Sequence, residues 1–302
     1  MYASEIRTLH GMEFACATVN ASDIIDFKDR ISYRIVNTII AMICVISNLI
    51  LLFVFLGNRE LRVKYVLLIQ LAVADLIYSL STTTAKCALD IGLQSKLIGD
   101  VLIAMTILWM GMERFIAITF PFFYRINVDR RYLKLIIVPI ISMTIVMVVL
   151  LFGLLSVLNG SQTRTFNCGR KSTFGLAFSA FIYISCIVSN FASTLLNAIS
   201  YVKARATMRN NPRQAQQHVD TIRYYLLISV LSAVLVSVPN FKSLYKVYAG
   251  KVLLGISKPS DWLQTLNAGI NLFVYISFNK EFRQRILYLL RLGRESHQTS
   301  EG

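Results

Sequence analysis

The sequence predicts an all-α membrane protein, a bundle of seven transmembrane helices. Two observations predict it. The 302 residues are 55% hydrophobic and only 16% charged, whereas a soluble domain carries about 25% charged residues; mean hydropathy is +0.58. The apolar residues also run unbroken instead of alternating with polar ones. A bilayer core about 30 Å thick needs roughly 20 mostly apolar helical residues at about 1.5 Å each. Lipid cannot satisfy open backbone groups, so helices or closed barrels are required. The alternating segments of about ten residues that mark a β-barrel are missing. The same composition excludes disorder, collagen and a disulfide scaffold, with 14 Gly, 5 Pro and 5 Cys.

The seven spans follow in order. The first covers residues 35–55 and reads IVNTIIAMICVISNLILLFVF. The second covers 65–83 and the third 97–119. The fourth, 135–158, is the most apolar. The fifth covers 174–199, the sixth 224–244 and the seventh 253–278. A soluble protein with seven buried core helices would lack polar surface at this length. Residues 1–33 are mixed polar with no continuous apolar core of a signal peptide. The first span is therefore expected to act as the insertion signal.

Lys and Arg set the orientation. With the N-terminus outside, the cytosolic segments hold 17 and the outer segments 13. Two glycosylation sequons, at Asn20 and Asn159, then fall outside. The expected place is the plasma membrane, with the C-terminus cytosolic. Nucleic acid is not an expected partner despite the net charge of +15. The basic residues are spread over every loop with no stripe and no interleaved stacking aromatics. The cytosolic ones suit anionic lipid and an acidic partner surface.

Polar residues at membrane depth are the functional candidates. Asp75 sits mid-way along the second span, with no Lys or Arg at comparable depth. The amides of Asn48, Asn267 and Asn271 could supply polar partners. The plainer alternative is that these groups only join helices by hydrogen bonds. Glu113-Arg114 closes the third span, where a charge pair can also be a simple boundary anchor. No enzyme is expected. His10, His218 and His297 are scattered in polar segments, and neither a phosphate loop nor a Ser-His-Asp set is evident.

The segment ERFIAITFPFFY resembles the end of the third helix in rhodopsin-like G-protein-coupled receptors. Glu113, Arg114, Phe115, Ala117, Ile118, Pro121 and Tyr124 match that motif. Asn271-Leu272-Phe273-Val274-Tyr275 resembles the family's Asn-Pro-x-x-Tyr, with Leu272 in place of Pro. Leu71-Ala72-x-x-Asp75 resembles the second-helix motif, and Asn48 the first-helix Asn. Phe278 and Phe282-Arg283 are similar to the start of a short amphipathic eighth helix. The resemblance covers about residues 35–290. There are departures: Pro239 is kept but Ser237 stands where a Trp would be, the fourth span lacks its Trp and the fifth its Pro. This loose pattern is most similar to nematode chemosensory receptors of serpentine receptor class sx; neuropeptide receptors are the nearest competitor.

The resemblance implies an extracellular segment at 1–34, the bundle at 35–278, and an eighth helix with cytosolic tail at 279–302. It implies an extracellular ligand, a small chemosensory molecule or a neuropeptide, and a heterotrimeric G protein as partners. Glu113 would hold Arg114 at rest; Phe115 completes the motif. Tyr201 and Tyr275 would turn inward on activation, bridging to Arg114 through water. Asp75, Asn48, Asn267 and Asn271 would form a polar core. No cofactor is expected; a sodium ion beside Asp75 is disfavoured, because Ala268 replaces a family Ser and the third helix lacks a well-placed one. Cys168 lies where the family's outer-loop disulfide half sits, and Cys87 is its nearest implied partner. Cys44 and Cys186 are mid-helix fillers. Asp100, Ser237, Asn240, Phe241, Trp262 and Gln264 are candidate pocket linings, with ordinary packing as the alternative. Asp75 to Arg114 is about a dozen residues shorter than in most family members. A helix and a half still leaves about 5–9 residues for the turn. A receptor-like protein that does not signal is the first alternative function, and a small transporter the second.

Overall fold

The computed structural model describes residues 21–83, 90–124, 126, 137–159, 174–208, 212–249 and 254–289. The chain divides into two compact units, Met1–Val36 and Asn37–Gly302. Among the described residues of the first, the chain is helical from Ala21 onward. The second unit holds the bundle.

The long helices are α1 (Ala21–Leu56), α2 (Val66–Thr83), α3 (Asp90–Thr119), α4 (Val138–Asn159), α5 (Leu176–Met208), α6 (Pro212–Ala249) and α7 (Leu254–Phe278). A further helix, α8, covers residues 280–289. Short helical turns occur at Arg59–Lys64 and Pro121–Phe123. Among the described residues there is no strand. Among the described residues every expected span is largely helical, and the eighth helix is present. Five helices contain spans long and apolar enough to cross a bilayer, and α2 contributes the shorter apolar stretch Val66–Thr82. The protein is a multi-pass membrane protein.

Boundaries differ from the sequence expectation where polarity, not helicity, ended the apolar run. α1 starts at Ala21 instead of 35, α5 runs on to Met208, and α6 begins at Pro212 instead of 224. The extension of α6, PRQAQQHVDTIR, is too polar to register as a span but forms good helix. Its proline stands at the first helical position, where a missing N–H costs nothing.

α4 illustrates the converse. It is the most apolar helix, yet only 17% of its span is buried, against 44% for the others. A helix apolar all round has no face that must avoid lipid, so it can stand at the rim. Met147 and Phe152 are 66% and 62% exposed.

The short crossing between α2 and α3 is accommodated. Only residues 84–89 separate them. From Asp90, where α3 starts, to Arg114 the helix rises about 36 Å, enough for a full crossing. Two glycines let α3 sit centrally. A Cβ at Gly99 would lie 2.8 Å from the Tyr78 Cβ of α2, and one at Gly111 would lie 3.0 Å from the Ser193 Cα of α5. Small residues at such crossings allow backbones to approach. Ser193 Oγ then donates to the Ile107 carbonyl at 2.6 Å.

Candidate functional site

Near the C-terminal end of α3, Glu113 and Arg114 form an ion pair, Oε2 to Nη2 3.6 Å, with both side chains mostly shielded. Beyond the short turn Pro121–Phe123, Tyr124 donates to Glu113 Oε1 at 2.9 Å. Pro121 has no N–H to continue the ladder of α3, which runs on to the Phe120 N–H bonded to the Ile116 carbonyl at 2.9 Å. The Arg114 guanidinium lies 4.2 Å from the ring centre of Tyr225 on α6. Tyr225 is almost fully buried. Arg114 is thus gripped by an acid on its own helix and an aromatic face on another. Such a cation–π contact is favourable when desolvated. Phe115 beside it is half-buried.

Above this, Asn271 of α7 donates to Asp75 Oδ2 of α2 at 2.7 Å. Both residues are buried. Asn48 does not reach Asp75: its amide donates to the carbonyls of Ala268 at 2.6 Å and Cys44 at 2.9 Å. It ties α1 to α7 instead. Asn267 lies elsewhere still, lining a cavity further out. The four polar residues therefore divide into one direct pair, one inter-helix tie and one cavity residue.

That cavity, only about 10 Å³, lies between α2, α3, α5, α6 and α7. Tyr78, Asp100, Asn190, Val236, Gln264 and Asn267 face it. Gln264 donates to Asp100 Oδ1 at 2.9 Å, joining α7 to α3. Trp262 is partly buried and Ser237 buried. Asn240, directly after Pro239, donates to the Val236 carbonyl of its own helix at 2.7 Å. Phe241 is 51% exposed and does not line the cavity.

Where α1 and α7 end, Phe55, Tyr65, Tyr275 and Phe282 pack into one aromatic cluster. Phe55 lies 5.1 Å from Phe282, 5.6 Å from Tyr65 and 5.8 Å from Tyr275 between ring centres. Asn279 caps α8 by accepting from the Phe282 N–H at 3.1 Å. Lys64 pairs with Glu281 at 2.5 Å, and Tyr65 donates to Glu281 at 2.9 Å. Burial alone would raise the Glu281 carboxyl, but the hydrogen bonds from Lys64 and Tyr65 outweigh it and hold it below its ordinary value. Burial alone would lower the Lys64 ammonium, and the bond to Glu281 outweighs that and raises it. Tyr201 is half-buried against Ala204, Ile222 and Ile118, away from this cluster.

Tyr225, Asn190, Phe55 and the Lys64–Glu281 pair were missed by sequence reasoning. Only Tyr225 left a signal, as a tyrosine in the inner turn of an apolar span. Cys87, Cys168 and Asn20 lie outside the described residues, and Asn159 is the last residue of α4. Among the described residues no group of three or more His, Cys, Asp or Glu could hold a metal.

Residues 41–290 match the family described as serpentine type 7TM GPCR chemoreceptor Srsx. No curated protein matches the chain.

Proposed function

The chain belongs to the Srsx family of serpentine-type seven-transmembrane G-protein-coupled chemoreceptors, and on that premise we propose that it detects an extracellular small molecule and activates a heterotrimeric G protein. This is a receptor family and not an enzyme family. The observation that carries the reading is the grip on Arg114 by Glu113 and Tyr225 at the inner ends of α3 and α6. A receptor of this kind works by a population shift between two helix packings. In the resting packing Arg114 is held. Ligand binding further out favours a packing in which α6 carries Tyr225 away, and Arg114 is released to meet the G protein. Tyr275 is held at rest between Phe55 and Phe282 and would swing inward with Tyr201. Asp75 and Asn271 couple the two levels, because their hydrogen bond joins α2 to α7 in the buried middle.

The N-terminal segment, residues 1–34, is extracellular in this proposal. Residues 35–278 cross the plasma membrane, and 279–302 lie in the cytosol. The 17-to-13 distribution of Lys and Arg and the outer sequons support that orientation. The helical extensions of α5 and α6 then project into the cytosol, where Lys203 of α5 reaches Thr119 of α3 at 3.4 Å. The outer-loop disulfide between Cys87 and Cys168 belongs to the same proposal.

Surface staining of an N-terminal tag on intact cells, combined with a G-protein dissociation assay against volatile and water-soluble small molecules, tests the reading. A stained N-terminus with ligand-dependent dissociation is the expected result. Surface expression with no dissociation for any G-protein class would sink it.

A further inference from the structure

We propose that the groove between the turn Arg59–Lys64 and α8 seats the headgroup of a bilayer phosphatidylethanolamine, with its phosphate on Arg285 and its ammonium on Glu60. This rests on the chain spanning a membrane and not on its signalling. The groove has a volume of about 420 Å³, and both of its walls are fixed. Asn58 accepts from the N–H groups of Glu60 and Leu61 at 2.9 and 3.4 Å and so caps the turn. Phe282, fully buried, anchors α8. The Lys64–Glu281 pair joins the two walls, and Tyr65 donates to the second Glu281 oxygen. That pair is complete and carries no net charge.

Arg285 and Glu60 are the charged groups of the groove left open. Among the described residues neither forms an ion pair. The Arg285 guanidinium rests on the Tyr288 ring, 4.9 Å from its centre. Stacking occupies the face of the guanidinium and leaves its N–H edge free, a planar fork that matches a phosphate. Gln284, beside Arg285 on the same wall, adds an amide. Glu60 spends its backbone N–H on Asn58, and its carboxylate is left to the groove. A cation on one wall and an anion on the other, too far apart to pair, are complemented by a zwitterion.

Position makes that zwitterion a phospholipid. α1 ends at Leu56, just before the turn, and Asn279 alone separates α7 from α8. The groove therefore stands at a membrane boundary, in the headgroup layer. Phe53 and Leu56 of α1 are 69% and 47% exposed, and Leu287 of α8 is 50% exposed. These offer apolar surface to the acyl chains below the head. A headgroup of about eight heavy atoms fits, with water, in a cleft of the small-ligand range of about 300–1,000 Å³. The acids decide which lipid. Glu60 and Glu281 balance Lys64 and Arg285, so a polyanionic headgroup finds no excess of positive charge and meets Glu60. Phosphatidylcholine has no N–H for the carboxylate, and phosphatidylglycerol has no cation. Arg59, Arg62, Lys280 and Arg283 are exposed outside the groove. They attract any anionic lipid, but salt screens that attraction.

The test is native mass spectrometry of the purified full chain in detergent, at about 0.15 M ionic strength. The probes are phosphatidylethanolamine, phosphatidylcholine, phosphatidylglycerol and a phosphoinositide of matched acyl chains, with soluble phosphoethanolamine as competitor. The ethanolamine lipid should bind saturably and more tightly than the other three. Glu60→Gln should weaken it about two- to fivefold, the scale of one partly exposed ion pair, and leave phosphatidylglycerol at least as well bound as before. Arg285→Gln should weaken every phospholipid. Arg283→Gln, outside the groove, should leave the order of preference unchanged. Soluble phosphoethanolamine should displace the lipid only in large excess, because it has no acyl chains to hold it. The proposal is overturned if phosphatidylglycerol or the phosphoinositide binds as tightly as the ethanolamine lipid, if Glu60→Gln leaves the preference intact, or if the soluble headgroup competes at equal concentration. A chain that prefers the ethanolamine lipid but engages no G protein would defeat the receptor reading alone. One that signals and shows no such preference would defeat only this inference.

Discussion

Replacing Glu113 by Gln should raise signalling in the absence of ligand. Gln keeps the shape and an oxygen for the Tyr124 hydroxyl, which now donates at 2.9 Å. What is lost is the charge facing Arg114 at 3.6 Å. At an effective dielectric of about 20, two unit charges at that separation attract by about 4–5 kcal/mol. Part of this is cancelled by the cost of desolvating the pair. The stacking on Tyr225 at 4.2 Å survives the substitution and continues to restrain the guanidinium. A net loss of about 1.5–3 kcal/mol from the resting packing follows, which is about ten- to a hundredfold in the ratio of active to resting protein. Basal second-messenger output at matched surface expression measures it. Arg114→Ala should abolish coupling while retaining ligand binding, and Tyr225→Leu should raise basal output more modestly. If Glu113→Gln is silent and Arg114→Ala signals normally, the pair is a boundary anchor and the switch lies elsewhere.

Three further outcomes test the architecture. Gly111→Ala should destabilise by about 1–3 kcal/mol, because its new Cβ would meet the Ser193 backbone at 3.0 Å and Oγ at 2.9 Å; an unchanged melting temperature would contradict the close α3–α5 approach. Phe282→Ala should cost about 3–5 kcal/mol, since the ring is fully buried against Phe55 and Tyr275; calorimetry of the purified protein reads it, and a neutral change would mean α8 is not anchored there. Glu281→Gln should cost under about 1 kcal/mol, because the side chains of Lys64 and Glu281 are 53% and 49% exposed. The Glu281 contribution is present above its unfolded value of 4.5 and is lost as pH falls through its depressed folded value. That of Lys64 is present below 10.5 and is lost as pH rises through its raised value. A spin-label distance between Glu60 and Gln284 should therefore hold steady from about pH 5 to about pH 10 and lengthen in stronger acid; a transition near neutrality would contradict the pairing.

Hydropathy alone located the apolar segments, because a bilayer imposes length and composition on every helix that crosses it. Four short motifs in order determined the family, since Glu113-Arg114, Asn271 with Tyr275, Asp75 and Asn48 each lie on a separate element. The sequence could not place helix ends at Ala21, Met208 or Pro212, because a helix that leaves the membrane keeps its backbone bonds and loses only its apolar signal. It also could not divide the polar residues among their partners. Asn48 turning to Ala268 and not to Asp75, Asn267 joining Asn190 and Asp100 at one cavity, and Tyr225 lying under Arg114 all depend on the rotation of each helix about its axis. Lipid rewards any apolar face equally, so that rotation is set by packing between helices, by Gly111 against Ser193 and by Phe55 against Phe282, and by hydrogen bonds between residues far apart in the chain.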